Sequence, residues 1–107
     1  FYNKILKPLK IKKVLVHNRY YGYAKIKSPK KIELYLIKPH NKKKASVGNG
    51  TMFTFNAKSK QEVDNFYNIG IKLGAKDEGR PGPRHGKDYY AYVRDLDGNK
   101  ICAFKKI

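Results

Sequence analysis

Cysteine, methionine, tryptophan and long apolar runs are scarce or absent in this sequence. Cys102 is the single cysteine, so no disulfide can form within the chain, and a reducing, cytoplasmic location is expected. No apolar run approaches the roughly 18 residues that a membrane span needs, and no signal peptide pattern is present, so we expect no membrane association. Apolar residues still make up 40% of the 107 residues, which argues against global disorder and predicts one folded domain.

Acidic side chains are too few to balance the basic ones. The sequence has 8 Asp and Glu against 25 Lys and Arg, a formal net charge of +17. Such an excess attracts nucleic acids and anionic surfaces through counterion release. Nearly all the basic residues are Lys, however, and Lys lacks the planar fork with which Arg reads phosphates and bases. Because Ile, Asn, Tyr and Phe are plentiful as well, the composition is that of an AT-rich genome. A solvated Lys-rich surface is therefore favoured, and nucleic acid is not the expected partner.

Apolar periodicity predicts two helices and seven strands. The first helix is the tail of an amphipathic helix at Phe1–Leu9, in which Pro8 disturbs the last turn. The second begins with a capping box of Ser59 and Glu62 and ends at Gly74. A Gly/Pro loop is predicted over Gly79–Gly86. The predicted strands are Ile11–Val16, Tyr20–Ile26, Lys31–Ile37, Gly50–Asn56, a short strand near Ala75–Glu78, Tyr89–Arg94 and Lys100–Lys105.

Two short sequence matches indicate an internal duplication. Phe66–Ile69 is similar to Phe1–Lys4, and Lys100–Ala103 is similar to Lys31–Leu34, with nearly the same offset along the chain in both pairs. The second copy then has the order β-α-β-β-β and the first has α-β-β-β. The predicted domain organisation is a partial first module at residues 1–38, a linker at 39–47 and a second module at 48–107. The offset predicts that the first module lacks its opening strand, either because the sequence is a fragment or because another chain fills the gap.

An ordered set of segments resembles the glyoxalase / bleomycin-resistance / extradiol-dioxygenase superfamily, the vicinal oxygen chelate fold, and in particular its small glyoxalase-like proteins. The set comprises Gly48–Thr51, the helix Val63–Gly74, Asp77–Gly79 with Pro81–Arg84, Tyr89–Arg94 and Asp95–Asn99. The resemblance implies an α+β fold in which two βαβββ modules form a cup-shaped sheet. It also implies a small-molecule ligand in the cup and a homodimer.

In the metal enzymes of this superfamily, a divalent ion sits on His, Gln or Glu side chains from the first and last strand of each module and polarises substrate oxygens. Glu33 matches one carboxylate position, but Met52 stands where a His would open the second module and Cys102 where a Glu would close it. Thioether and thiol groups are poor ligands for a hard cation. The resemblance therefore implies a degenerate metal site with no cofactor, and a bound divalent metal is the less favoured alternative.

Glu33 and Cys102 are the two candidates for a catalytic role, and a larger group of side chains is expected to bind the ligand. Glu33 is a weak candidate general base, and a strand-surface acid beside lysines is the simpler interpretation. Cys102 has no evident neighbour that would lower its pKa, so a buried inert thiol is favoured over a nucleophile. The side chains expected to bind the ligand are Met52, Thr54, Arg84, Tyr90, Tyr92, Cys102 and Phe104.

Three functions remain open from the sequence. The first is a glyoxalase-like protein, related to lactoylglutathione lyase, that binds a small molecule and whose enzymatic activity, as lyase, isomerase or dioxygenase, is undecided. The second is a non-enzymatic protein that sequesters a small molecule such as an antibiotic, as in the bleomycin-resistance branch. The third is a basic nucleic-acid-binding domain in which Tyr20, Tyr21 and Tyr23 stack on bases among lysines.

Overall fold

The computed structural model describes all residues from Phe1 to Ile107 and has the predicted α+β class. Its helices and strands follow the predicted order, with one additional 3₁₀ turn at Lys7–Leu9. The elements are α1 (Tyr2–Ile5), β1 (Ile11–Val16), β2 (Tyr20–Lys25), β3 (Ile32–Ile37), β4 (Met52–Asn56), α2 (Lys60–Lys72), β5 (Lys76–Pro83), β6 (Tyr89–Arg94) and β7 (Lys100–Lys105).

The second half of the chain forms a four-stranded sheet with the order β4-β7-β6-β5. β4 runs parallel to β7, and the other neighbours are antiparallel. With α2 between β4 and β5, this is the predicted βαβββ module. The first half forms a three-stranded antiparallel sheet with the order β1-β2-β3, preceded by α1. No strand equivalent to β4 pairs with β3 in Phe1–Ile107, as the predicted α-β-β-β order requires.

The chain divides into two compact units, whose bounds differ from the predicted module boundaries. The four-stranded unit comprises Phe1–Leu9 and Val47–Ile107, and the three-stranded unit comprises Lys10–Ser46. The N-terminal helix therefore groups with the second module. A Cβ atom on Gly70 of α2 would lie 2.8 Å from the terminal methyl group of Ile5, so α1 packs closely on α2 at this glycine.

The N-terminal segment is a shorter helix than predicted. α1 ends after one turn at Ile5, and the chain continues as the 3₁₀ turn that contains Pro8. Proline has no N–H group to donate to the preceding turn, so the α-helix cannot continue through it. The Tyr2 hydroxyl donates a hydrogen bond to the buried carboxylate of Asp95, which also accepts backbone N–H groups in the β6–β7 turn. The segment is thus attached to the closing hairpin of its unit.

The second helix begins and ends as predicted. The Ser59 side chain accepts a hydrogen bond from the Glu62 backbone N–H, while the Glu62 carboxylate accepts the N–H of Lys58, one residue before the cap. Gly74 follows the helix with a φ of 101°, the left-handed conformation that favours glycine. Val63 and Phe66 are fully buried between α2 and the four-stranded sheet.

The predicted Gly/Pro loop is wrong at its beginning, because β5 continues through it to Pro83. β5 is an edge strand with register shifts between Asp77 and Gly79 and between Gly79 and Gly82. An edge strand with bulges needs few ladder hydrogen bonds from its outer side, so it accommodates Pro and Gly that a central strand would not.

Both helices are too short and too polar to cross a membrane.

Candidate functional site

Strand register brings six of the predicted ligand-binding residues to one face of the four-stranded sheet. Tyr92 lies opposite Cys102 and Tyr90 lies opposite Phe104 across β6 and β7, while Thr54 pairs with Cys102 across β4 and β7. Because side chains alternate along strands, these groups point away from the face that α2 covers. We call this surface the aromatic face, and it consists of Met52, Thr54, Tyr90, Tyr92, Lys100, Cys102 and Phe104.

Three rings form the centre of the aromatic face. The Tyr90 and Phe104 rings are stacked with centroids 5.1 Å apart, and the Tyr90 and Tyr92 rings are nearly parallel at 5.9 Å. All three side chains remain partly exposed. Offset stacking of this kind is the favoured geometry of aromatic pairs, and it leaves ring surface available to a further planar group.

Arg84 is the seventh predicted ligand-binding residue, and it lies beside the aromatic face. Its guanidinium donates hydrogen bonds to the backbone carbonyl oxygens of Gly82, Tyr90 and Arg80, and its central carbon lies 5.2 Å from the Tyr92 ring centroid. A Cβ atom on Gly79 would lie 2.7 Å from the Tyr92 ring, so glycine is required where these groups meet β5. The guanidinium is held by neutral carbonyl groups, and its positive charge is paired with no carboxylate.

Lys100 is a member of this face that sequence reasoning missed. Its ammonium nitrogen lies 5.3 Å from the Tyr92 ring centroid, so that ring contacts both Lys100 and Arg84. The alternation of β7 contained the signal, because Lys100 precedes Cys102 by two residues and therefore shares its face. Arg94 pairs with Lys100 in the strand register, but its charge is balanced by a salt bridge with Glu78, whereas Lys100 has no carboxylate partner.

Cys102 is fully buried within the aromatic face. Burial raises the pKa of its thiol from 9.0 to about 11, against the opposing effects of a hydrogen bond with Thr54 and the charges of Arg84 and Lys100. Burial disfavours the charged thiolate because the surroundings solvate it poorly. The thiol is therefore protonated at neutral pH, and a protonated thiol is not a good nucleophile.

The donor groups of the four-stranded unit do not fit the divalent ion that the resemblance implies. At the two positions that the resemblance matches to metal ligands of the family, the side chains are the Met52 thioether and the Cys102 thiol, both soft sulfur groups. No group of three or more His, Cys, Asp and Glu side chains suited to a metal ion occurs in Phe1–Ile107. Hard cations such as Mg²⁺ and Mn²⁺ need oxygen or nitrogen ligands, which these two positions lack.

Glu33, the predicted catalytic carboxylate, belongs to the three-stranded unit. It lies on β3 with an exposed side chain, at the register shift between the Ile32 and Leu34 pairs with β2. The structure brings it no hydrogen-bond or ion-pair partner within that sheet. Its catalytic role stays a prediction.

Known structures share this fold over almost the whole chain. A glyoxalase/bleomycin resistance protein from Albidiferax ferrireducens T118 is 36% identical with a TM-score of 0.87, covering 99% of this chain and 84% of that one. A lactoylglutathione lyase from Agrobacterium tumefaciens is 21% identical with a TM-score of 0.66, covering 98% and 80%. A glyoxalase/bleomycin resistance protein/dioxygenase family enzyme from Burkholderia phytofirmans PsJN is 11% identical with a TM-score of 0.65, covering 99% and 85%.

The fold is thus that of the vicinal oxygen chelate superfamily. The 36% identity to the Albidiferax protein extends over nearly the full chain, which is enough to assign the family as well as the fold. The chain belongs to the glyoxalase/bleomycin resistance protein family. The two more distant structures support the fold alone. No protein-family model and no curated protein matches the sequence.

Proposed function

We propose that this protein binds a small molecule on the aromatic face and holds it by ring stacking and positive charge instead of by a metal ion. The observation that carries the proposal is the Tyr92 ring, which contacts two cations that are not paired with any carboxylate, Arg84 and Lys100. Cations without a counter-ion beside exposed ring surface form a binding site for an anion with a planar part.

The chemistry of the face defines the class of ligand. Tyr90, Tyr92 and Phe104 offer stacked ring surface to a planar group. Three of the five N–H groups of the Arg84 guanidinium donate to backbone carbonyls, and the other two can donate to a carboxylate or phosphate. Three backbone carbonyls hold Arg84 in place, so little side-chain entropy is lost when a ligand binds. The ligand we expect is a small aromatic or conjugated anion.

The proposal treats the protein as a glyoxalase-like protein whose metal site is degenerate. The sulfur groups of Met52 and Cys102 support this part, since neither suits the hard cation of the family's enzymes. A sequestering function, as in the bleomycin-resistance branch, needs an aromatic site and no metal. Turnover of the ligand is therefore not required by the proposal.

A ligand screen tests the proposal. Planar aromatic carboxylates are compared with their neutral amides in thermal-shift and calorimetric titrations of the purified protein. We expect binding of carboxylates and little binding of the matched amides. Arg84→Met should weaken the binding of any such carboxylate about 10- to 100-fold, because a hydrogen bond to a charged group contributes about 1.5–3 kcal/mol. Lys87→Met, which removes an exposed charge outside the face, is the matched control.

Metal analysis and a lyase assay separate binding from metal-dependent catalysis. The protein purified without chelators should contain divalent metal well below one equivalent, and added Ni²⁺, Zn²⁺ or Mn²⁺ should not produce lactoylglutathione lyase activity. Stoichiometric metal together with such activity would overturn the proposal. Equal affinity for carboxylates and amides, or equal losses in Arg84→Met and Lys87→Met, would also contradict it.

A further inference from the structure

The positive charge of the chain is concentrated in the three-stranded unit. Residues 10–46 contain 12 Lys and Arg and one acidic residue, Glu33, a net charge of +11 out of the total of +17. The rest of the chain, though longer, has 13 Lys and Arg against 7 Asp and Glu, a net charge of +6. An AT-rich genome would enrich Lys in both units, and it does not explain why acidic residues are almost absent from one of them.

An open groove of about 550 Å³ lies at one end of the three-stranded sheet. It is formed by the β1–β2 turn, where Arg19 lies, and by the end of β3 with Lys38. The Arg19 guanidinium donates hydrogen bonds to the backbone carbonyl oxygens of Lys38 and Pro39, which fixes it next to the end of β3. No carboxylate lines the groove, so its cations are not neutralised by the protein.

Aromatic rings line the same groove. The His17 and Tyr20 rings are stacked, with centroids 4.5 Å apart and an angle of 14° between them. Tyr21 is 42% exposed, and the ammonium nitrogen of Lys13 lies 4.3 Å from its ring centroid. A groove that combines fixed cations with exposed rings provides the two contacts that single-stranded nucleic acids make with proteins, phosphate pairing and base stacking.

We propose that the three-stranded unit binds single-stranded nucleic acid, with phosphates at Arg19 and Lys38 and a base stacked on Tyr21. The proposal is independent of the aromatic face. It departs from the expectation based on composition because the structure places Arg, Lys and exposed rings together in a concave surface. Charge complementarity favours a polyanion, and a concave groove lined by rings fits a strand with separate bases better than it fits a flat anionic membrane.

Binding is tested by fluorescence anisotropy with a fluorescein-labelled 12-nucleotide oligo(dT) at increasing NaCl concentrations. The unmodified protein should bind, with an affinity that falls as salt rises. The double variant Arg19→Gln/Lys38→Gln should bind at least tenfold more weakly and show a shallower salt dependence, reduced by roughly one to two in log–log slope. Tyr21→Leu keeps the charge and should weaken binding by roughly fivefold or more, because it removes one stacking ring.

The matched control is Lys72→Gln/Lys106→Gln, which removes the same charge from exposed positions of the four-stranded unit. We expect less than a twofold change in this variant. Circular dichroism verifies that all variants are folded, and Lys13→Gln/Lys38→Gln serves as a second test that leaves the Arg19 hydrogen bonds in place. Equal weakening in the control and the groove variants would overturn the proposal, because binding would then follow total charge. So would an unchanged affinity in Tyr21→Leu, or tighter binding to phosphatidylserine vesicles than to oligo(dT).

Discussion

The two units of this protein differ in how they use their apolar side chains. All of the largest fully buried side chains, among them Phe66, Ile101 and Val93, lie in the four-stranded unit. In the three-stranded unit, Ile11 and Tyr23 are buried, but several large apolar side chains are exposed, such as Val16 at 68% and Ile37 at 64%. A similar β-meander therefore serves two purposes: it forms a hydrophobic core in one unit and offers accessible surface in the other.

The difference follows from the elements that accompany each sheet. α2 and the N-terminal segment pack within the four-stranded unit, and α2 covers one face of its sheet. The three-stranded unit contains no helix of its own. Burial removes apolar area from water and stabilises a fold by about 25 cal/mol per Å². We therefore expect the four-stranded unit to supply most of the stability that is measured in unfolding experiments.

Two isoleucines on strands give the strongest test of this comparison. Ile101→Ala in β7, where the side chain is 1% exposed, should lower the free energy of unfolding by about 2–5 kcal/mol. Ile37→Ala in β3 should lower it by less than about 1 kcal/mol, because little apolar area is buried there. Urea denaturation at neutral pH measures both. Similar losses in the two variants would mean that the three-stranded unit contributes as much to stability as the four-stranded one.

The arrangement of each module was predictable because it depends on local patterns. β5, β6 and β7 follow β1, β2 and β3 at nearly constant intervals along the chain, which agree with the offsets between the two repeated sequence segments. The face shared by Tyr92 and Cys102 follows from alternation and from the short hairpin turn. The pattern alone could identify these features, because hairpins fix the register of neighbouring strands.

Features that depend on distant contacts could not be predicted in this way. The apolar stripe of Phe1–Leu9 indicates a helix, but it does not specify that Ile5 packs against Gly70 in α2. The continuation of β5 to Pro83 depends on its position at the edge of the sheet, which its Gly and Pro content conceals. The contacts of Arg84 depend on the bulges of that strand, so the sequence identified the residue without its carbonyl partners.

A smaller expected effect is the loss of stability at high pH that follows from the burial of the Cys102 thiol in the four-stranded unit. The thiol pKa is about 11 in the folded protein and near 9 in the unfolded chain. Between these values the unfolded chain is ionised and the folded protein is not, so the protein should lose stability as the pH rises from about 9 to 11. The loss attributable to this thiol is about 2–3 kcal/mol.

Cys102→Ala isolates this contribution. The variant should be less stable than the unmodified protein at pH 8, and the difference between the two should shrink or reverse at pH 11. Tyr23, Tyr67, Tyr89 and Tyr92 have raised pKa values as well, with burial as the first cause in three of them and the hydrogen bond to Asp64 in Tyr89. The effects of Tyr23, Tyr67 and Tyr89 are common to both proteins and cancel in the difference. The effect of Tyr92 cancels only in part, because the charge of Cys102 is one cause of its raised pKa. A difference that stays constant from pH 8 to 11 would mean that the thiol is accessible to water.

The smallest expected effect compares two serines that differ in their role. Ser59→Ala removes the side-chain oxygen that accepts the Glu62 N–H at the start of α2, and it should cost about 1 kcal/mol. Ser28→Ala, in the turn between β2 and β3, should change stability by less than about 0.5 kcal/mol, because the turn is closed by backbone hydrogen bonds from Ser28 to Lys25 and from Lys31 to Ser28. Thermal unfolding of both variants measures this contrast. Ser28→Ala keeps the backbone hydrogen bonds of the turn, so a loss of stability larger than that of Ser59→Ala would have to come from the Ser28 side chain. That result would contradict the view that side-chain interactions stabilise mainly the four-stranded unit.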